Sequence, residues 1–397
     1  MASEQVTQDR RSMQYICSFI DEYDLEQLRA CSRAILAAVD EVFEHRDVAE
    51  RWWGPEVFAW ERDRTELPHV RWVRTQDFNE VLSRCMLPMN LQRLELNGDY
   101  NKSLGADVLP ASLTDLKFGG YSFNKSLPAG VLPGNLAKLN LGRAFNKPLV
   151  PGDLPANLTT LEFGWYFNQR LIVGTLPASL TSLVLPVHGH FNQPLVKGAL
   201  PVNLRLAELG NFSRPLIEGM LPASLRKVRF GERFNHPLVR NVFPVALEVL
   251  VFCAAFNQPL VPGVLPDSLT RLELGSDFNQ RLVVGALPSS LEYLVFGERF
   301  NEGLEPGVLP DRLERLEFGS DFNQRLVVGA LPSSLDYLVF GERFNEVLAP
   351  GVLPANLAKV HFGREFNQTL APGAFPTDLL EVCFGDNFRK PLAAGVL

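Results

Sequence analysis

The side chains that could do covalent or metal chemistry in this 397-residue chain are few and scattered. His188 and His190, one residue apart, could share a metal ion, but no further His or Cys lies near them in the chain to complete a ligand set. They read instead as a surface bulge. The five cysteines, Cys17, Cys31, Cys85, Cys253 and Cys383, follow no disulfide or metal spacing, and their odd number suits free thiols in a reducing compartment. Neither Cys253 nor Cys383 has a base beside it, and no phosphate-cradling loop occurs. The expectation is a protein that is not an enzyme, with no catalytic residue, no cofactor and no metal. What remains is the chemistry of recognition. Arg271 and Glu273, Tyr293 and Val295, Arg315 and Glu317, Tyr337 and Val339, and then His361 recur at fixed spacing. Tyr and Arg are the residues enriched at the hot spots of protein interfaces.

The elements that must position them follow from a repeat. From Phe78 onward the chain restates a 22-residue template, F-N-x-x-L-x-x-G-x-L-P-x-x-L-x-x-L-x-[FL]-G-x-x, in 14 full copies and a partial one from Phe388. A period of this size marks a solenoid, in which each coil buries its apolar face against its neighbours. Positions 16 to 19 alternate and predict a short strand, with 17 and 19 inward and 16 and 18 outward. Stacked coils then form a parallel sheet, and the recognition residues above occupy its outward positions. Phe at position 1 predicts a stacked core ladder. The Asn column at position 2 predicts a buried ladder bonded between coils. Gly at position 20 suggests a left-handed turn after the strand. Pro at position 11 suggests an extended return leg.

Two other readings of the outward columns stay open. Residues 278–299 and 322–343 differ only at Glu292 and Asp336, so copying of a coil pair would leave the same alternation. Salt bridges between neighbouring coils would also satisfy these Arg and Glu residues.

Composition narrows the partners. The net charge is −7 and no basic stripe is present, which argues against nucleic acid. No 18-residue apolar run occurs, so no membrane span is expected. The N-terminus lacks an apolar signal region, which suggests a cytoplasmic location.

Ahead of the repeats, residues 1–11 read as a disordered tail and residues 12–53 as three short amphipathic helices, with Ile16, Phe19 and Ile20 on one face. Asp24 suits a helix cap before Leu25 and Leu28. Residues 54–77 read as a linker and opening cap coil, and residues 78–397 as the solenoid. The expected fold class is therefore α+β. The last copy stops inside a coil, which predicts weak self-association or local disorder after about Asn387.

Two resemblances follow from these residues. The repeats, with their Phe256–Asn257 pairs, resemble FNIP repeats, a divergent leucine-rich repeat. Ile16, Phe19, Ile20, Asp21, Asp24, Leu25, Leu28, Cys31, Ser32 and Arg33 stand at the spacing of an F-box, which this stretch resembles, although Ser12 and Met13 replace the Leu-Pro pair that usually opens it. Proteins joining the two occur in social amoebae and in large DNA viruses that infect amoebae, so a viral protein would act in the host cytoplasm. The resemblance implies a substrate receptor of a cullin–RING ubiquitin ligase. Ile16, Phe19, Ile20, Asp24, Leu25 and Leu28 would face a Skp-type adaptor, and the exposed sheet face would hold a protein substrate. The same six residues would equally pack a plain cap, and the rival expectation is a scaffold solenoid, viral or cellular, with no ubiquitin link.

Overall fold

The computed structural model describes residues 52–53, 70–75, 78–83, 86–392 and 395–396. The chain divides into two units, Met1–Leu185 and Pro186–Leu397. The described residues of each form a stack of coils, each coil contributing one short strand.

In the first unit the strands are β1 (Trp52–Trp53), β2 (Trp72–Thr75), β3 (Arg93–Leu96), β4 (Asp115–Phe118), β5 (Lys138–Asn140), β6 (Thr160–Glu162) and β7 (Ser182–Leu185). Each pairs in parallel with the next. In the second unit they are β8 (Leu206–Leu209), β9 (Lys227–Phe230), β10 (Val249–Phe252), β11 (Arg271–Glu273), β12 (Tyr293–Val295), β13 (Arg315–Glu317), β14 (Tyr337–Val339), β15 (Lys359–His361) and β16 (Glu381–Cys383), again parallel and in chain order. The register is one coil per strand, so Arg271 faces Tyr293 and Tyr293 faces Arg315. Alternation along the strands is as the pattern requires: in β9, Val228 and Phe230 are buried while Lys227 and Arg229 are half-buried.

The core is two aromatic columns. Position-1 rings stack coil on coil, with centroids 6.2 Å apart for Phe256 and Phe278 and 6.0 Å for Phe344 and Phe366. Position-19 rings stack beside them, Phe296 on Phe318 at 5.6 Å, and the columns meet at 3.8 Å between Phe296 and Phe300. Leu at positions 14 and 17, such as Leu291 and Leu294, is fully buried. Burial of this apolar area on every coil is the main stabilising term.

The α+β expectation is corrected. Among the described residues there is no helix. Trp52 and Trp53, read from the sequence as the end of a third helix, instead form β1 and pair with Arg74 and Thr75 of β2. Bulky aromatic residues favour a pleated, half-buried surface as readily as a helix face, and a waiting parallel neighbour decides between the two. The rest of the 12–53 segment, including Ile16, Phe19, Ile20, Asp24, Leu25 and Leu28, lies outside the described residues.

Two turn assignments also change. The regular left-handed position is 8, where Gly285, Gly307 and Gly329 have φ of 80°, 80° and 83°; among the described residues position 20 is left-handed only at Gly142 and Gly210, with φ of 71° and 54°. Where Gly is missing at position 8, Asp107 and Asn241 take φ of 60° and 62°, which short polar side chains tolerate. In the other coils Gly at position 20 answers to crowding. A Cβ on Gly297 would fall into the carbonyl oxygen of Gly275, one coil back. Pro at position 11 opens a hydrogen-bonded turn rather than an extended leg, its carbonyl accepting the N–H of the position-14 Leu, as from Leu313 to Pro310 at 3.1 Å.

Candidate recognition face

On β11 to β15 the outward residues form a continuous contact chain. Strand pleating puts Arg271 and Glu273 on one side of β11, so the guanidinium reaches the carboxylate, Nη2 to Oε1, at 2.7 Å. The Arg271 Cζ lies 4.0 Å from the Tyr293 ring centroid on β12. Arg315 on β13 lies 5.2 Å from the same ring and 4.2 Å from Tyr337 on β14. The Tyr293 hydroxyl donates to Glu317 Oε1 at 2.8 Å, and Arg315 Nε meets that same oxygen at 2.8 Å. Tyr337 continues the chain to His361 Nδ1 at 3.2 Å. Burial first, and then the bond to Glu317, holds the Tyr293 phenol above its ordinary value. Arg271 and Arg315 therefore each stack on a tyrosine and pair with a carboxylate, while Val295 and Val339 fill the intervening half-buried positions.

Glu273, Val295 and Val339 also border a groove. Its volume is about 810 Å³, and it is lined by the ends of β9 to β14 and the turns after them. Arg229, Glu232, Cys253 and Glu273 supply its polar wall. His188 lies at the end of the coil that starts at Phe167, which runs two residues longer than the template; it reaches this wall and meets Glu232 at 2.9 Å through Nδ1. His190 is exposed nearby, and among the described residues the pair does not gather a ligand set.

Sequence reasoning missed four features. On the first unit Glu95 is 2% exposed and bridges Arg74 at 3.3 Å and Lys117 at 2.8 Å across β2, β3 and β4. Tyr121, Trp165 and Tyr166 are exposed, with Arg143 3.9 Å from the Trp165 centroid. They occupy positions 21 and 22, where the template names no residue. An apolar ridge runs along position 6 of the second unit through Val196, Ile217, Val239, Val261 and Val283. It is visible in the sequence only once the sheet is known to lie elsewhere on the coil. The fourth is a cluster of His361, Glu381 and Cys383, whose ligand atoms all lie within 4.8 Å of one another.

The Asn ladder is at the coil edge rather than buried. Asn279 and Asn323 are exposed, and each amide oxygen accepts the backbone N–H of the next coil's position 2. Gln280 adds a second donor to Asn257 Oδ1 at 2.9 Å. The family model described as FNIP Repeat matches these coils, at residues 78–121, 100–144, 123–164, 145–186, 191–233, 234–277, 278–321 and 322–365.

The chain belongs to the FNIP-repeat family.

Among solved structures the FNIP solenoid is similar to CroV588, described as a novel circular leucine-rich-repeat protein, at 31% identity over 83% of this chain and 61% of that one, with a TM-score of 0.48. The chain thus spans about three-fifths of that relative's length. It is also similar to YopM, a leucine-rich effector protein from Yersinia pestis, at 16% identity over 90% of this chain and 100% of that one, TM-score 0.51. The functional domain of InlJ from Listeria monocytogenes matches at 12% identity over 80% and 71%, TM-score 0.50. The likeness to these last two is one of fold. No curated protein matches the chain. The FNIP solenoid is of leucine-rich-repeat type, an architecture whose exposed sheet commonly serves protein–protein interaction. Among the described residues no helix is long and apolar enough to cross a membrane.

Proposed function

We propose that the outward face of β11 to β15 holds a protein partner, and that the chain is the substrate receptor of a cytoplasmic cullin–RING ubiquitin ligase. The observation that supports the binding half is the stacked column Arg271, Tyr293, Arg315, Tyr337. Glu273 and Glu317 hold Arg271, Tyr293 and Arg315, and His361 meets Tyr337, before any partner arrives. Aromatic and arginine anchors already ordered in this way lose little conformational freedom on binding. Nothing in the column is arranged as nucleophile and base, which favours a non-catalytic role. The acidic net charge of −7 favours a protein over a nucleic acid.

The ligase half rests on the F-box resemblance of residues 16–33. Ile16, Phe19, Ile20, Asp24, Leu25 and Leu28 would contact a Skp-type adaptor, and the solenoid would present the captured substrate. The test is a pull-down of purified Skp-type adaptor by the full chain. Wild type is expected to bind, and Leu25→Asp with Leu28→Asp to abolish binding while the circular dichroism of the solenoid is unchanged. A wild-type chain that fails to bind leaves a protein-binding scaffold with no ubiquitin link.

A further inference from the structure

We propose that His361, Glu381 and Cys383 form a binding site for a borderline-soft divalent metal ion of the zinc type. The three come from two adjacent coils. His361 and Cys383 are register partners on β15 and β16, and Glu381 lies two residues before Cys383, on the same outward side of β16. Glu381 Oε1 is 3.1 Å from His361 Nε2 and 3.8 Å from Cys383 Sγ. Zinc bonds of about 2.0–2.3 Å in tetrahedral geometry set neighbouring ligand atoms about 3.3–3.6 Å apart. The two separations from Glu381 bracket that range and the remaining one, His361 to Cys383, lies within 4.8 Å, so an ion is held once the imidazole and the thiol close on it by up to about 1 Å, which side-chain rotation on an exposed face allows.

The surroundings suit the same assignment. Glu381 divides its oxygens: Oε2 meets the Lys359 ammonium at 2.8 Å, and Oε1 is left facing the histidine and the thiol. The carboxylate can therefore ligate through one oxygen without releasing the lysine. Tyr337 meets the other ring nitrogen of His361, Nδ1, at 3.2 Å. A partner on the remote nitrogen fixes ring orientation in metal-bound histidines, and its hydroxyl can accept as well as donate. One nitrogen, one sulfur and one carboxylate oxygen match zinc or cobalt rather than magnesium or calcium, which take oxygen sets. The Cys383 thiol proton leaves to solvent as the thiolate binds. Three protein ligands on an exposed face leave the fourth position to water or to a ligand atom from a partner.

The probe is cobalt(II) added to the full chain, followed by zinc competition. One equivalent is expected to give a thiolate-to-cobalt charge-transfer band that zinc abolishes. Cys383→Ser should remove the band, and Cys253→Ser should keep it. His361→Ala should weaken binding at least tenfold, and Tyr337→Phe by about tenfold, the lower end for removal of an outer partner. A second measurement on the unmutated chain is alkylation: zinc should slow modification of Cys383 and leave Cys253 unaffected. A wild-type chain with no band, a band that survives Cys383→Ser, or equal protection of the two thiols would overturn the assignment.

Discussion

The side-chain oxygen of Asn257 accepts the backbone N–H of Asn279, one coil further on, at 2.9 Å. The same bond links Asn279 to Asn301 and Asn301 to Asn323. A donor that would otherwise point at the neighbouring coil is thereby satisfied on each of these turns, outside the sheet's own hydrogen bonds.

Replacing Asn279 with Ala should lower stability by about 1 kcal/mol, the net worth of one such bond. Asn279→Asp keeps the acceptor and should stay within about 0.5 kcal/mol of wild type. Urea unfolding followed by circular dichroism distinguishes the two. Equal losses would show that the amide nitrogen, not the oxygen, is the group that counts.

Two glycines separate crowding from backbone strain. Gly297→Ala drives a methyl into the Gly275 carbonyl and should cost about 3 kcal/mol, the upper end for overpacking. Gly307 has φ of 80°, and a Cβ there would meet no atom within 4 Å, so Gly307→Ala should cost only about 1 kcal/mol of left-handed strain. Thermal melts of both variants check the order, which would reverse if position 20 were the left-handed site.

Glu95 sits buried between Arg74 and Lys117. Glu95→Ala should cost about 3 kcal/mol, at the low end for breaking a buried pair, since Lys117 can turn to water. Because the carboxylate is shielded, raising salt should change the wild-type melting temperature little. A loss below about 0.5 kcal/mol would place the triad among ordinary surface ion pairs.

Tyr100 stands where other coils have Phe, and its hydroxyl is buried with no hydrogen-bond partner. Burial pushes its phenol well above the ordinary value near 10, and the nearby Leu82 backbone offsets only part of that. A raised folded value means stability that is complete below pH 10 and lost as the pH rises beyond it. Tyr100→Phe should therefore add about 1 kcal/mol at neutral pH and blunt alkaline unfolding. Denaturant midpoints at pH 8 and pH 11 measure both effects.

The coil was legible because its signals repeat. The Phe column, the buried Leu at 14 and 17 and the outward strand positions all follow from a period that leaves one arrangement consistent with every copy. Positions that carry the same residue for different reasons were not legible. Gly at 8 and Gly at 20 look alike in a sequence, and only the folded coils show that one needs φ near 80° and the other lacks room for a methyl. Trp52 and Trp53 occur once, so no repetition could arbitrate between helix and strand. The His361, Glu381 and Cys383 cluster was hidden by register: residues 20 and 22 apart in the chain become neighbours only when β15 is laid beside β16.

The near-identical coils 278–299 and 322–343 have a genetic consequence. Excision of residues 278–321 would set 322–343 directly after 256–277, recreating a junction already present apart from Asp336 in place of Glu292. Unequal crossing-over can therefore shorten or lengthen the array by whole coil pairs without inventing a single unfamiliar contact. Variation in the number of Arg–Tyr steps offered to a partner becomes accessible in one recombination event rather than through many point mutations.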